Sequence, residues 1–249
     1  MSYEHGRFVW FELLTKDIDK ATSFYPEALP WRVEPMKMQD GSSYNAIKVG
    51  DQSIGGFMSP QADVPTAWVS YVSVANVDKT AKKIKAAGGH THRDAFDVPG
   101  VGRMQPVSDP HGGMFCLFKA ENGDPPRVDG PGSLHWNELW TQDPKASLAF
   151  YKSALGYTHE EMSMPNGTYY MFKDGDDPRG GMLQAPSSDI PTMWLQYITV
   201  DDCDAALARA KKNGATIVAE PVDAEGVGRF GIFRDPLGGM IGVIKPANA

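Results

Sequence analysis

The chain has 249 residues, of which 41% are hydrophobic and 22% are charged, a composition typical of a globular protein with two domains or one large one. A net charge of −7 and the lack of a basic stretch exclude a typical nucleic-acid-binding surface, and no apolar run approaches the roughly 20 residues of a membrane span. Two cysteines are too few for a disulfide framework, and no signal-peptide pattern is present, so a soluble, cytoplasmic protein is expected.

The first half of the chain predicts strands interrupted by two helices. Alternating polarity and turn residues predict strands at residues 8–14, 33–38, 44–50, 57–58 and 68–74. Asp17 suits the N-cap of a helix that ends near Pro26, and a second helix is expected from Val77 to Ala87. A hairpin whose turn starts at Asp109-Pro110 closes this half. We therefore predict an α+β fold in which helices cover one face of each sheet.

An internal repeat relates the two halves of the sequence. Trp10-Phe11-Glu12-Leu13 recurs as Trp136-Asn137-Glu138-Leu139, at an offset of 126 residues. The same offset relates Phe24-Tyr25 to Phe150-Tyr151, Gly100-Val101-Gly102-Arg103 to Gly226-Val227-Gly228-Arg229, Asp109-Pro110 to Asp235-Pro236, Met36 to Met162, Met38 to Met164, and Tyr44 to Tyr170. A single one-residue gap is needed, because Gly55-Gly56 matches Gly180-Gly181. A constant offset over whole halves indicates a duplicated domain.

A segment rich in proline and glycine separates the two copies. We predict a first βαβββ module at residues 1–120, a linker at residues 121–132 and a second βαβββ module at residues 133–249.

These motifs, each present twice, resemble the vicinal oxygen chelate superfamily, which includes glyoxalase I, extradiol dioxygenases and bleomycin-binding proteins. The resemblance covers nearly the whole chain and implies two modules whose curved sheets form cups. Enzymatic members hold a divalent metal in a cup, with ligands from the first strand of one module and from two strands of the other.

The positions that the resemblance assigns to metal ligands carry no typical ligand set. One cup would be framed by Trp10, Leu195 and Gly242, and the other by Trp136, Val69 and Cys116. We therefore expect no metal at the usual position and no cofactor.

Glu12 and Glu138 are the candidate catalytic residues. Because strand side chains alternate, each glutamate shares a face with Trp10 or Trp136. A carboxylate in an aromatic cavity could act as a general base. The alternative is that each glutamate accepts a structural hydrogen bond or forms an ion pair.

The remaining candidates form a ligand-binding set. Aromatic, methionine and other apolar side chains would contact a planar or apolar ligand, although they could equally fill the core. Arg103 and Arg229 could hold an anionic ligand or pair with a nearby Asp, and Cys116 is better explained as a packed thiol than as a nucleophile. The set comprises Trp10, Trp136, Trp140, Val69, Leu195, Cys116, Met114, Met240, Arg103 and Arg229.

The leading hypothesis is a protein that binds a small aromatic or apolar organic molecule, for example to sequester a natural product or antibiotic. The alternative is an enzyme of the same superfamily, such as a lyase, isomerase, cyclase or dioxygenase-like protein. It would be metal-free with Glu12 or Glu138 as the base, or metal-dependent if the ligand positions are misplaced. A monomer and a homodimer are both compatible with the sequence.

Overall fold

A computed structural model describes residues 3–60, 63–164 and 167–247. The first half contains β1 (Phe8–Leu14), α1 (Ile18–Ala28), β2 (Arg32–Lys37), β3 (Ser43–Val49), β4 (Gln52–Met58), β5 (Ala67–Ser73), α2 (Val77–Ala86), β6 (His90–Thr91), β7 (Phe96–Val98), β8 (Gly102–Ser108) and β9 (Met114–Ala120). The second half contains β10 (Leu134–Thr141), α3 (Pro144–Leu155), β11 (Thr158–Met164), β12 (Gly167–Asp174), β13 (Asp177–Gln184), β14 (Met193–Thr199), α4 (Cys203–Lys212), β15 (Thr216–Ala224), β16 (Gly228–Arg234) and β17 (Met240–Pro246). If the short strands β6 and β7, which both pair with β8, are counted as one, the order βαβββ occurs twice in each half, whereas the sequence predicted it once.

The strands of each half form their own curved mixed sheet. Over the described ranges, β1–β9 belong to one sheet and β10–β17 to the other. The first strand of each half runs parallel to its neighbour, β1 to β4 and β10 to β13. Hairpin neighbours such as β2–β3 and β11–β12 are antiparallel. The α+β class with two curved mixed sheets is confirmed.

Two compact units each take one βαβββ motif from each half. One unit contains the residues up to Trp10, Val69–Pro126 and Asn137–Trp194. The other contains Phe11–Trp68, Arg127–Trp136 and the residues from Leu195 onward. We call them the α2–α3 unit and the α1–α4 unit after the helices that they contain.

Each unit has its own hydrophobic core beneath its two helices. In the α1–α4 unit, Phe11 and Leu13 of β1 pack with Phe24 of α1 and Leu207 of α4. In the α2–α3 unit, Leu139 of β10 packs with helix residues that include Ile84 and Phe150. The buried residues of α1 follow the spacing i, i+3, i+4 and i+7, which places them on one side of the helix: Ala21, Phe24, Tyr25 and Ala28.

The helix N-caps follow the sequence prediction. The Asp17 carboxylate accepts a hydrogen bond from the Lys20 backbone N–H, and Asp143 accepts one from Ala146. Helix α1, however, continues past Pro26 to Ala28, because the Leu29 N–H still donates to the Tyr25 carbonyl. Among the described residues, no helix is long and apolar enough to span a membrane.

The two motifs that defined the repeat meet inside each core. In the α1–α4 unit, the Tyr25 hydroxyl donates to the Asp235 carboxylate and accepts a hydrogen bond from Trp68 Nε1, 2.9 Å away. In the α2–α3 unit, the Tyr151 hydroxyl donates to Asp109 over 3.0 Å. The pKa of both tyrosines is raised well above the usual value. Burial is the larger cause, and the negative charge of the nearby aspartate is the second. The hydroxyls therefore remain protonated hydrogen-bond donors, and these motifs stabilise the fold.

Candidate functional site: two Glu–Tyr clusters

Glu12 and Glu138 point away from the helix-covered cores. Phe11 and Leu13 on either side of Glu12 belong to the core, so alternation places Glu12 on the opposite, helix-free face. Leu139 likewise belongs to the core, and Glu138 lies on the other face together with Trp140, whose Nε1–H donates to Glu138 Oε1 over 2.8 Å. Only 4% of Glu12 and 8% of Glu138 is exposed. The alternation predicted for the first strands is therefore present.

A tyrosine hydroxyl holds the Glu12 carboxylate. Tyr44 on β3 donates to Glu12 Oε1 over 2.6 Å. Gly56 on β4 is the register partner of Glu12, and a Cβ at Gly56 would lie 2.2 Å from the Tyr44 hydroxyl oxygen. The ring thus lies over the strand because residue 56 has no side chain. We call Glu12, Tyr44 and Gly56 the first Glu–Tyr cluster.

The second half repeats this arrangement. Glu138 pairs in register with Gly181, and a Cβ at Gly181 would lie 1.8 Å from the Tyr169 hydroxyl oxygen. We call Glu138, Tyr169 and Gly181 the second Glu–Tyr cluster. The hydrogen bond between Tyr44 and Glu12 matches the structural role that the sequence offered as the alternative to a base.

The structure corrects one detail of the repeat. The sequence matched Tyr44 with Tyr170, but Tyr44 faces Met36 across the β2–β3 pair and Tyr169 faces Met162 across the β11–β12 pair. The one-residue gap in the repeat therefore falls between the methionine and the tyrosine of each pair, at the turn that joins their strands. A loop can change length there without shifting the strands. Sequence reasoning counted Tyr44 among the side chains suited to a planar or apolar ligand but did not pair it with Glu12, and it did not single out Tyr169.

Methionines share the face of each cluster. Directly paired strand residues lie on one face, so Met36 accompanies Tyr44 and Met162 accompanies Tyr169. These methionines are 38% and 39% exposed, so part of their apolar surface is accessible. The two faces thus combine a buried carboxylate, a phenol and accessible apolar surface.

The other predicted ligand-binding residues differ in solvent exposure. Trp10 and Trp136 are half-buried, and Met114 is 37% exposed. The rest of the apolar candidates are buried: Val69, Leu195, Cys116, Trp140 and Met240.

The two predicted arginines lie in matching ion-pair networks. Arg103 holds Asp78 through two nitrogens at 2.8 and 2.9 Å and reaches Asp97 at 2.7 Å. Arg229 contacts Asp204 and Asp223 in the same way. The pairing alternative considered for these arginines is the one that the structure contains.

Replacing Arg229 with glutamine is expected to alter the acid dependence of stability. The hydrogen bond from Arg229 lowers the pKa of Asp204, so this pair stabilises the fold above the ordinary Asp pKa of about 4 and less as the pH falls through the lowered pKa. In urea unfolding at several pH values, the wild type should be more stable than the variant at neutral pH, and the difference should shrink in acid. Arg234→Gln, which removes an exposed arginine, is the control. A difference that stays constant down to strong acid would contradict the prediction.

An open groove lies at the end of β1 in the α1–α4 unit. It has a volume of about 490 Å³ and is lined by residues that include Thr15, Lys16, Val64, Thr66 and Leu237. Sequence reasoning did not single out these residues, since the groove forms between segments far apart in the chain.

Comparison with known proteins identifies the family. Residues 133–243 match the model described as the glyoxalase/bleomycin resistance protein/dioxygenase superfamily, and residues 7–50 match a bleomycin resistance protein-like N-terminal model. The protein CFP32 of Mycobacterium bovis, whose name describes it as a candidate glyoxylase, is 34% identical over 252 residues covering 98% of this chain and 97% of that protein. The chain belongs to the glyoxalase/bleomycin resistance protein/dioxygenase superfamily.

Other members of the superfamily are more distant in sequence. The anthracycline biosynthesis protein DauV of Streptomyces sp. strain C5 is 26% identical, with 98% of this chain and 94% of that protein covered. The Mn(II)-bound glyoxalase of Novosphingobium aromaticivorans has a TM-score of 0.68 at 16% identity, with 98% of this chain and 83% of that chain covered. The structural likeness supports the fold alone.

The positions that the resemblance assigns to metal ligands carry side chains that do not fit a metal. Each predicted cup takes residues from both sheets, since Trp10 lies on β1 whereas Leu195 and Gly242 lie on β14 and β17. At Gly242 the Tyr197 ring fills the space, with Cδ1 2.4 Å from where a Cβ would be. Within residues 3–60, 63–164 and 167–247, no three His, Cys, Asp or Glu side chains gather into a metal-binding group.

Proposed function

We propose that this protein binds a small aromatic or apolar organic molecule on the helix-free face of its sheets, with no metal at the usual superfamily position. One observation carries the proposal. A buried glutamate held beside a tyrosine shares its face with accessible methionine side chains. Sequestration of a natural product or antibiotic is one use of such binding.

The chemistry of these side chains suits a planar ligand with a polar edge. Aromatic rings stack on flat ligands, and methionine adapts its shape to them. Carboxylate oxygens accept hydrogen bonds, so they favour a ligand hydroxyl or N–H group. The relationship to an anthracycline biosynthesis protein supports an aromatic natural product as the ligand class.

Loss of both carboxylates is expected to weaken binding about 10- to 100-fold, because hydrogen bonds to charged groups contribute roughly 1.5–3 kcal/mol. The probe is 1,8-dihydroxyanthraquinone, titrated against tryptophan fluorescence and checked by calorimetry. The variant is Glu12→Gln with Glu138→Gln, and Glu27→Gln on the exposed side of α1 is a control for the change in charge. No binding by the wild type, or equal binding by the double variant, would refute the proposal.

The second candidate is a metal-free enzyme that uses Glu12 or Glu138 as a general base. Its basis is the burial of Glu12, which is only 4% exposed, on a face that also carries accessible methionine side chains. Glu12 would then exchange its hydrogen bond with Tyr44 for one with the substrate. In this case Glu12→Gln would abolish turnover of a bound compound, whereas a binding protein would leave every bound compound unchanged.

A further inference from the structure

A lysine shares the helix-free face with the first Glu–Tyr cluster. Ile47 on β3 belongs to the core of the α1–α4 unit, so alternation places its neighbour Lys48 on the opposite face, where Glu12 lies. Glu12 pairs in register with Gly56, and Gly56 pairs with Ala46, two residues before Lys48. Strand geometry then puts the Cα atoms of Glu12 and Lys48 roughly 10–12 Å apart. Three fused aromatic rings span a comparable length.

The second half repeats this placement. Phe172 on β12 belongs to the core of the α2–α3 unit, so Lys173 lies on the helix-free face with Tyr169. Lys48 follows Tyr44 by four residues, and Lys173 follows Tyr169 by four residues. Each face therefore carries the same set of glutamate, tyrosine, glycine and lysine.

Each of these lysines is more enclosed than the glutamate that pairs with it. Lys48 Nζ lies 3.5 Å from Glu34 Oε2, and Lys173 Nζ lies 2.6 Å from Glu160 Oε1. The lysine side chains are 24% and 16% exposed, whereas those of the two glutamates are 46% and 60% exposed. An ion pair with an exposed partner is weak, because water solvates the charge when the pair opens. Either glutamate can therefore turn toward water and leave the ammonium group to a ligand.

We infer that the ligand carries an acidic group, such as a carboxylate, and that Lys48 and Lys173 bind this group on their respective faces. The inference rests on the proposed function and adds the charge of the ligand and the residue that selects it. A lysine ammonium group has three hydrogen-bond donors and a full positive charge, which favour an anion over a neutral molecule. The acidic group lies at the end of the ligand away from Glu12 or Glu138, so the negative charges stay apart.

Two compounds that differ by one carboxylate test this inference. We expect 1,8-dihydroxyanthraquinone-3-carboxylic acid to bind about tenfold more tightly than 1,8-dihydroxyanthraquinone, measured by tryptophan fluorescence and calorimetry at low salt. In the double variant Lys48→Gln with Lys173→Gln, the two compounds should bind equally, and binding of the neutral compound should change little. Lys48→Arg with Lys173→Arg should keep the preference, since arginine retains the charge. Lys82→Gln with Lys152→Gln, which removes two exposed helix lysines, is the control for net charge.

The outcomes separate this inference from the proposed function. Equal or weaker binding of the carboxylate compound by the wild type, or a preference that survives in the double glutamine variant, would overturn the inference and leave the proposed function standing. No binding of either compound would overturn both. Circular dichroism checks that each variant is folded. If the glutamine variant is unfolded, the wild-type preference in high salt decides the matter, because salt screens charges, and a preference that does not shrink would overturn the inference.

Discussion

Replacing Asp235 with alanine is expected to lower the free energy of unfolding by about 3–5 kcal/mol, since buried donors that lose their acceptor cost roughly 1–3 kcal/mol each. Asp235 is only 4% exposed, and its Oδ1 accepts from the backbone N–H groups of Leu237 at 2.7 Å and Gly239 at 2.9 Å. Its Oδ2 accepts from the Tyr25 hydroxyl. The substitution would remove the acceptor of all three donors at once. Urea unfolding measures the effect.

An exposed aspartate provides the matched control for Asp235. Asp40 also accepts from a backbone N–H two residues ahead, that of Ser42, but it is exposed, so water can replace the lost bonds. Asp40→Ala should therefore change stability by no more than about 1 kcal/mol. Asp109→Ala in the α2–α3 unit should resemble Asp235→Ala, because Asp109 makes the same contacts with His111, Gly113 and Tyr151. A loss below that of Asp40→Ala would show that the buried turn does not stabilise the fold.

Gly228→Ala is expected to destabilise the protein by roughly 3 kcal/mol or more, because backbone strain and overpacking each cost about 1–3 kcal/mol. Gly228 has φ +135°, a region that residues with side chains rarely adopt. An added Cβ would lie 2.2 Å from the Lys245 carbonyl oxygen and 2.9 Å from the Pro246 Cα. Since these are backbone atoms of the paired strand β17, they cannot rotate away. Thermal and urea unfolding measure the loss.

A substitution at the nearby Gly226 separates the cost of backbone strain from the cost of steric overlap. Its φ is +73°, but nothing lies within 4 Å of where its Cβ would be. Gly226→Ala should therefore cost only the left-handed conformation, about 1–2 kcal/mol. Equal losses for the two variants would mean that β16 and β17 move apart without cost. Gly102 repeats the close approach in the first half, at 2.2 Å from the Lys119 carbonyl oxygen.

Local signals in the sequence predicted most elements correctly. The N-caps at Asp17 and Asp143 and the glycine after α3 satisfy helix ends through atoms a few residues away, so they can be read without a tertiary structure. Gly156 indeed has φ +79° at the end of α3. The end of α1 was placed too early, because the packing of Ala28 in the core carries the helix past Pro26.

Only part of the candidate site could be predicted from the sequence. Period-two alternation placed Glu12 and Glu138 opposite the core. It did not predict the hydrogen bond between Tyr44 and Glu12, since Tyr44 reaches Glu12 from a strand 32 residues away. The signal was present in Gly56, because a glycine in a strand often marks the close approach of another group. The glycine alone does not indicate which side chain approaches it.

The sequence by itself determined the repeat, the α+β class, the family resemblance and the face on which each glutamate lies. These follow from residue order and from alternation along single strands, which are local properties. Only the tertiary structure decided that each unit combines a motif from each half, and that Tyr25 bonds to Asp235, 210 residues away. The physical reason is that burial and hydrogen bonds between distant segments depend on how those segments pack, which local patterns do not encode.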